Sequence, residues 1–241
     1  IKFKKQAPSH NDFKERFLEA IDSIWTKQAE NDDLNQLITQ TQLTLYNIKL
    51  IRAFVKFSSQ TGLKYSYHYI IEILTAHPQF IVDIIQCFDY KFNPKCYNIE
   101  QTEELMRSCE QYCADLEKVD EDIILRHIIS VLNAAIRTNY YQTIGDAEQQ
   151  THKDYISIKF ASRKIVNLPK PVPLYEIFLY SSEMEGIHLR GGKVARGGLR
   201  WSDRAEDFRY EVLALMKAQM VKNSVIIPLG SKGGFIVKNF E

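Results

Sequence analysis

The sequence predicts a chain of the α+β / α/β class: an all-helical module over residues 1–144, a linker with a first strand over 145–174, and the N-terminal part of an α/β domain over 175–241. Three observations carry this. Only Gly62 occurs before residue 145, whereas eight of the ten glycines fall between 186 and 234. Apolar residues in the first part recur at spacings of three and four, the period of a helix with one buried stripe. From Tyr175 onward the pattern changes to short apolar runs broken by glycine turns, interrupted by one long helix.

The elements follow in order. Asn11 or Asp12 is placed to cap a helix whose inner stripe is Phe13, Phe17, Ile21 and Ile24, extended by Trp25. Leu43 to Phe57 is a second helical segment, stopped before Gly62, and Ser66 then precedes Tyr69, Ile70, Ile73 and Leu74. His77-Pro78 restarts the chain, since proline suits a first helical turn. A more polar helix spans Glu100 to Leu116, and Asp120 opens a strongly periodic one through Leu125, Ile128, Ile129, Leu132, Ala135 and Ile136. The proline-stiffened "NLPKPVPLY" separates the strand-like runs "YISIKFAS" and "YEIFLYS". "EGIHLR" reads as a further strand, residues 203–222 as a helix, "SVIIP" as a strand buried on both faces, "GSKGG" as a loop and "FIVK" as another strand.

Composition excludes several classes. The chain has 31 Lys and Arg against 30 Asp and Glu, a net charge of +1, far from the basic excess of a nucleic-acid binder. No run of about 18 apolar residues is present, and the first twenty residues lack a signal-peptide centre, so no membrane association and a cytoplasmic location are expected. The four cysteines, at 87, 96, 109 and 113, have neither CxxC pairing nor a histidine at ligand spacing. Cys109 and Cys113 read as packed thiols, and no metal is expected. The chain starts at Ile and stops soon after a glycine-rich turn, which reads as a piece of a longer protein.

The chemistry concentrates in "LRGGKVARGGLRW", residues 189–201, where four glycines and four basic residues share thirteen positions. Arg190-Gly191-Gly192 and Arg196-Gly197-Gly198 are two RGG triplets, the unit of disordered RNA-binding tails, so an RNA-binding helical protein is the alternative function. Their neighbours are strongly apolar, unlike such tails, and the preferred use of the glycines is an ordered turn that brings backbone and cations close to an anionic ligand. On the following helix Gln219 and Lys222 share the stripe of Phe208, Val212, Leu215 and Met216. Lys232 is expected in a glycine-rich loop at the carboxyl end of a buried strand, where open α/β sheets bind ligands. "GSKGG" fails the Walker pattern, because its lysine precedes the paired glycines. Arg196, Arg200, Lys222 and Lys232 together suit a substrate with two carboxylates, and a lysine desolvated beside other cations can serve as a base near neutral pH. Lys232 is the candidate for that catalytic role.

The stretch "GGKVARGGLRWSDRAEDFRYEVLALMKAQMVKNSVIIPLGSKGGF" closely resembles the large, NAD-specific bacterial glutamate dehydrogenases, and "IRAFVKF" and "LNAAIRTNYYQ" are similar to the helical module of that class. The resemblance implies an NAD-dependent oxidoreductase of amino-acid catabolism. It would convert L-glutamate, NAD and water to 2-oxoglutarate, ammonia and NADH, on an α/β substrate-binding domain of the glutamate dehydrogenase type. Carried over position by position, Arg196 and Lys222 would bind the side-chain and α-carboxylates and Lys232 would activate water or assist iminium chemistry. Gln219 falls where the smaller hexameric enzymes have a methionine lining the substrate pocket, and Arg200, Gly197 and Gly198 complete the substrate-binding set. Arginine in place of the first lysine keeps the charge, offers a planar fork to a carboxylate and cannot deprotonate. The interval between Lys222 and Lys232 is two residues shorter than in the small enzymes. No G-x-G-x-x-G turn occurs in residues 1–241, so NAD is expected on a domain absent from this chain, and the isolated chain is expected to be inactive. The full-length protein is expected to be a homo-oligomer.

Overall fold

The structure, a computed structural model, describes residues 10–145, 150–222 and 229–238, without the side chains of residues 10, 11, 195 and 222. Seven helices lead: α1 (His10–Trp25), α2 (Leu37–Gln40), α3 (Leu45–Gln60), α4 (Tyr67–Ala76), α5 (Pro78–Phe92), α6 (Ile99–Ala114) and α7 (Val119–Ala134). The strands are β1 (Ala135–Thr138), β2 (Thr143–Ile144), β3 (Thr151–His152), β4 (Ile156–Phe160), β5 (Tyr175–Tyr180), β6 (Met184–Arg190), β7 (Ala195–Arg196), β8 (Leu199–Trp201) and β9 (Leu229–Val237), with α8 (Phe208–Lys222) between the last two. An N-terminal helical layer followed by a mixed sheet agrees with the fold class expected from the sequence.

Local signals placed most of the helices. Thr44 and Asn47 form a reciprocal capping box at the start of α3, Ser66 caps α4 by accepting from the Tyr69 N–H, and Pro78 occupies the first turn of α5. α3 stops at Thr61, followed by Gly62 at φ 88°. Three expectations need correction. The stripe assigned to the inner face of α1 is largely exposed, with Ile21 at 48% and Trp25 at 88%. α1 docks instead by one edge, through buried Ala20 and through Arg16, which donates to the carbonyls of Thr41 and Leu43. The periodic run through Ile136 breaks at Ala134, because Ala135–Thr138 pairs with β4 as a strand inside the stretch assigned to helices. α8 begins at Phe208 rather than 203.

The main sheet runs β1-β4-β5-β6-β9-β7, with β8 also against β9. Every pair from β1 to β9 is antiparallel, whereas β7 and β8 run parallel to β9, Arg196 opposite Gly230 and Leu199 opposite Gly233. Parallel neighbours need a crossover, and α8 supplies it between β8 and β9. Helices cover one face. Phe57 of α3 stacks on Phe160 with centroids 4.3 Å apart and leans on Phe178, so the helical segment and the sheet share one buried cluster. Cys87, Cys109 and Cys113 are buried between helices, Cys96 is exposed, and all four are free. Among the described residues no single helix is long and apolar enough to cross a membrane.

Candidate functional site

Lys232 is not in a loop. β9 is continuous from Leu229 to Val237, with Lys232 opposite Leu189 of β6. The run "SVIIP", residues 224–228, lies outside the described residues. Glycine here serves close approach rather than a turn: a Cβ on Gly230 would meet Met220, Gln219 and the Met216 carbonyl at 3.2–3.3 Å, and one on Gly234 would lie 2.4 Å from Val212. α8 therefore rests directly on β9 at two points. Strand alternation puts Lys232, midway between them, on the same helix-covered face, half-buried.

Arg196 stands on the neighbouring strand β7 and is exposed. From a strand spacing of ~4.8 Å and a rise of ~3.3 Å per residue, the backbones of Arg196 and Lys232 lie about 8 Å apart. The chain crosses β9 tightly after Arg196, since a Cβ on Gly197 would sit 1.6 Å from the Ser231 carbonyl oxygen. Gly198 has open space where its side chain would be, and its carbonyl accepts from the Gly233 N–H at 3.1 Å. Both RGG triplets are thus strand and turn. Arg190 closes β6 and donates to the Lys193 carbonyl at 2.6 Å, which leaves the RNA-tail alternative without its structural basis.

Gln219, near the end of α8, donates through Nε2 to the Arg196 carbonyl at 3.2 Å, while its Oε1 is buried with no partner. Lys222 is the last residue of α8, and its side chain lies outside the described atoms. Arg200, expected in the substrate-binding set, is held by an ion pair: its Nε pairs with Glu211 Oε1 at 2.6 Å, and Glu211 Oε2 accepts from Ser202 Oγ at 2.6 Å. On the opposite face His188 Nε2 lies 3.4 Å from Ser231 Oγ, and burial, then Arg190, pushes its pKa down.

Sequence reasoning missed what holds α8 in place. Arg209 pairs with Glu176 of β5 through two hydrogen bonds, Nε to Oε2 at 2.8 Å and Nη2 to Oε1 at 2.6 Å, with neither side chain exposed. One charge inside an apolar strand and one on an apolar helix stripe was the available signal, because a buried charge demands a partner. Gln60 of α3 also reaches the first turn of α8.

A cavity of about 1000 Å³ opens at the other end of β9, where Glu30, Lys56, Glu185 and Lys238 line it. Those charges satisfy one another: Lys238 bonds Glu30 and Glu185, and although burial pushes the Glu30 carboxyl up, Lys238 and Lys56 outweigh it and hold it below its usual range. Among the described residues no group of three or more His, Cys, Asp or Glu could hold a metal ion. The arrangement around Arg196 offers an anion two cations on adjacent strands, whereas the C-terminal end of α8 and the unpartnered Gln219 Oε1 are acceptors that suit a donor group.

Residues 108–241 match the catalytic domain of bacterial NAD-glutamate dehydrogenase, and residues 29–94 match helical motif 3 of glutamate dehydrogenase, so the catalytic match starts within α6. The chain is 42% identical over 223 residues to the NAD-specific glutamate dehydrogenase of Halomonas elongata and 42% over 226 to that of Mycobacterium tuberculosis, 92% of the chain in each case. It is 43% identical over 223 residues, 90% of the chain, to the Pseudomonas aeruginosa enzyme of the same name. The chain spans 14% of the length of each of these relatives.

Proposed function

Since the chain belongs to the bacterial NAD-glutamate dehydrogenase family, we propose that it builds the glutamate-binding part of a longer enzyme that interconverts L-glutamate, NAD and water with 2-oxoglutarate, ammonia and NADH. The observation that carries this reading is the juxtaposition of Arg196 on β7 with Lys232 on β9 beneath the end of α8. The Arg196 guanidinium presents a planar fork to the side-chain carboxylate, and Lys222 takes the α-carboxylate. Gln219 anchors the Arg196 backbone and offers Oε1 to the substrate ammonium. Arg200, its charge met by Glu211, shapes the rim. Gly197 lets β7 lie close on β9, and Gly198 keeps the floor beside Arg196 free of a side chain. Lys232 takes or returns the proton of the attacking water.

NAD does not fit the residues of this chain. The one described parallel crossover enters α8 through "SDRAEDF", an acidic stretch without glycine, whereas a pyrophosphate needs a glycine turn opening onto free N–H groups. The dinucleotide is assigned to residues outside this chain. The same reading places the protein in the cytoplasm, in keeping with its free thiols, and in glutamate catabolism as a homo-oligomer. The test is NADH formation from NAD by the full-length protein. It should depend on glutamate and be absent from residues 1–241 alone; a full-length protein inert toward glutamate and 2-oxoglutarate would overturn the reading.

A further inference from the structure

We propose that Gln60, at the end of α3 in the helical segment, is a positioning residue for the substrate-binding end of α8. The inference rests on the function proposed above and adds a part for the helices in it.

Gln60 is 4% exposed and spends its whole amide on one turn. Its Nε2 donates to the carbonyls of Ala205 at 3.1 Å and Glu206 at 3.0 Å, and its Oε1 accepts from the Arg209 N–H at 3.2 Å. The first N–H groups of a helix have no partner within it, so Gln60 caps α8 from another element. The approach is close on both sides: a Cβ on Gly62, two residues on, would lie 2.7 Å from the Tyr210 hydroxyl. Gln60 thereby fixes where α8 starts along its axis, while the Arg209–Glu176 pair fixes its rotation against the sheet.

The consequence appears at the other end. At ~1.5 Å per residue, Gln219 lies about 15 Å and Lys222 about 20 Å from Arg209 along one uninterrupted helix. Gly230 and Gly234 present no side chain to α8, so at those two points the helix rests on the backbone of β9, and its position along the strand is set by contacts elsewhere, the Gln60 bonds among them. A shift of its first turn therefore moves Gln219 and Lys222 against Arg196. Lys232 belongs to β9 and stays where it is. Losing the Gln60 amide should weaken substrate binding and largely spare the proton-transfer group.

The experiment uses the full-length protein. Gln60→Met keeps the length and removes all three hydrogen bonds; Gln60→Glu keeps the acceptor for Arg209 and removes the two donors. KM for glutamate should rise about tenfold in the first and less in the second, with kcat within about threefold of wild type. NAD affinity should be unchanged. Cys109→Ala, a core change in α6, which packs on α5 and α7, should lower the melting temperature without moving KM. If Gln60→Met is insoluble, Gln60→Glu decides. Wild-type KM in the Gln60 variants, with only the melting temperature lowered, overturns this inference alone. A wild-type protein without glutamate-dependent NADH formation removes the functional reading and this inference with it.

Discussion

Gly197 lies so close to Ser231 that a β-carbon on it would stand 1.6 Å from the Ser231 carbonyl oxygen, while the same addition at Gly198 would meet nothing within 4 Å. The adjacent glycines thus have different duties. Gly197→Ala forces β7 off β9 and should cost about 3 kcal/mol, the upper end of ordinary overpacking, because the obstacle is backbone rather than a yielding side chain. Gly198→Ala should leave the melting temperature within the scatter of a surface change, about 0.5 kcal/mol, yet raise KM for glutamate by narrowing the floor beside Arg196. Equal thermal losses in both variants would contradict this division.

The Arg209–Glu176 pair is fully buried, and one guanidinium nitrogen, Nη1, already lacks a partner. Glu176→Gln should cost roughly 3–5 kcal/mol, since it leaves an uncompensated charge in the core. Replacing both partners, Arg209→Met with Glu176→Leu, should recover most of that loss, because two desolvated charges disappear together. Urea unfolding of the single and double variants measures the coupling, and additive losses would show that the pair does not act as a unit.

Much of the helical segment was legible because its signals are local: Ser66, Pro78 and Gly62 each mark a boundary through their own backbone preferences. The misreadings are tertiary. Glycine at 230, 233 and 234 reads as a loop when it is taken as punctuation, but here Met220 and Val212 of α8 need the space at Gly230 and Gly234, and Leu199 of β8 needs it at Gly233, along a continuous strand. Ile136 fits the period of α7 until β4 offers Ala135–Thr138 a strand to pair with. The Phe17, Ile21 and Trp25 stripe gives a period without saying what covers it. Arg196 and Lys232 stand out in the sequence as cations beside glycines, whereas Gln60, 149 residues from Arg209, has no local pattern that betrays its partner.

His127 is buried against Thr61, with Nε2 3.1 Å from Thr61 Oγ1, and burial pushes its pKa down to about 4. Between that value and the ordinary histidine value of about 6.5, the unfolded chain binds a proton that the folded chain refuses. Stability from this group is therefore complete above pH ~6.5, falls as the pH drops, and levels off below about 4, a loss on the order of 3 kcal/mol. Thermal unfolding from pH 7 to pH 4 should show that slope, and His127→Gln should flatten it. A variant with the full wild-type slope would assign the acid sensitivity to other groups.

Arg196 and Lys232 sit on neighbouring strands and should fail in different ways when altered in the full-length protein. In the proposed site Arg196 holds a carboxylate, so Arg196→Ala should raise KM for glutamate about a hundredfold, and Arg196→Lys should recover only part of it because a point charge replaces a two-pronged contact. In the same proposal Lys232 moves a proton, so Lys232→Ala should lower kcat by about a thousandfold or more with a smaller effect on KM. Lys232→Arg should not rescue turnover, because a guanidinium holds its proton across the working pH range. Were Lys232→Arg to turn over like wild type, charge alone would explain the residue and its role in proton transfer would be lost.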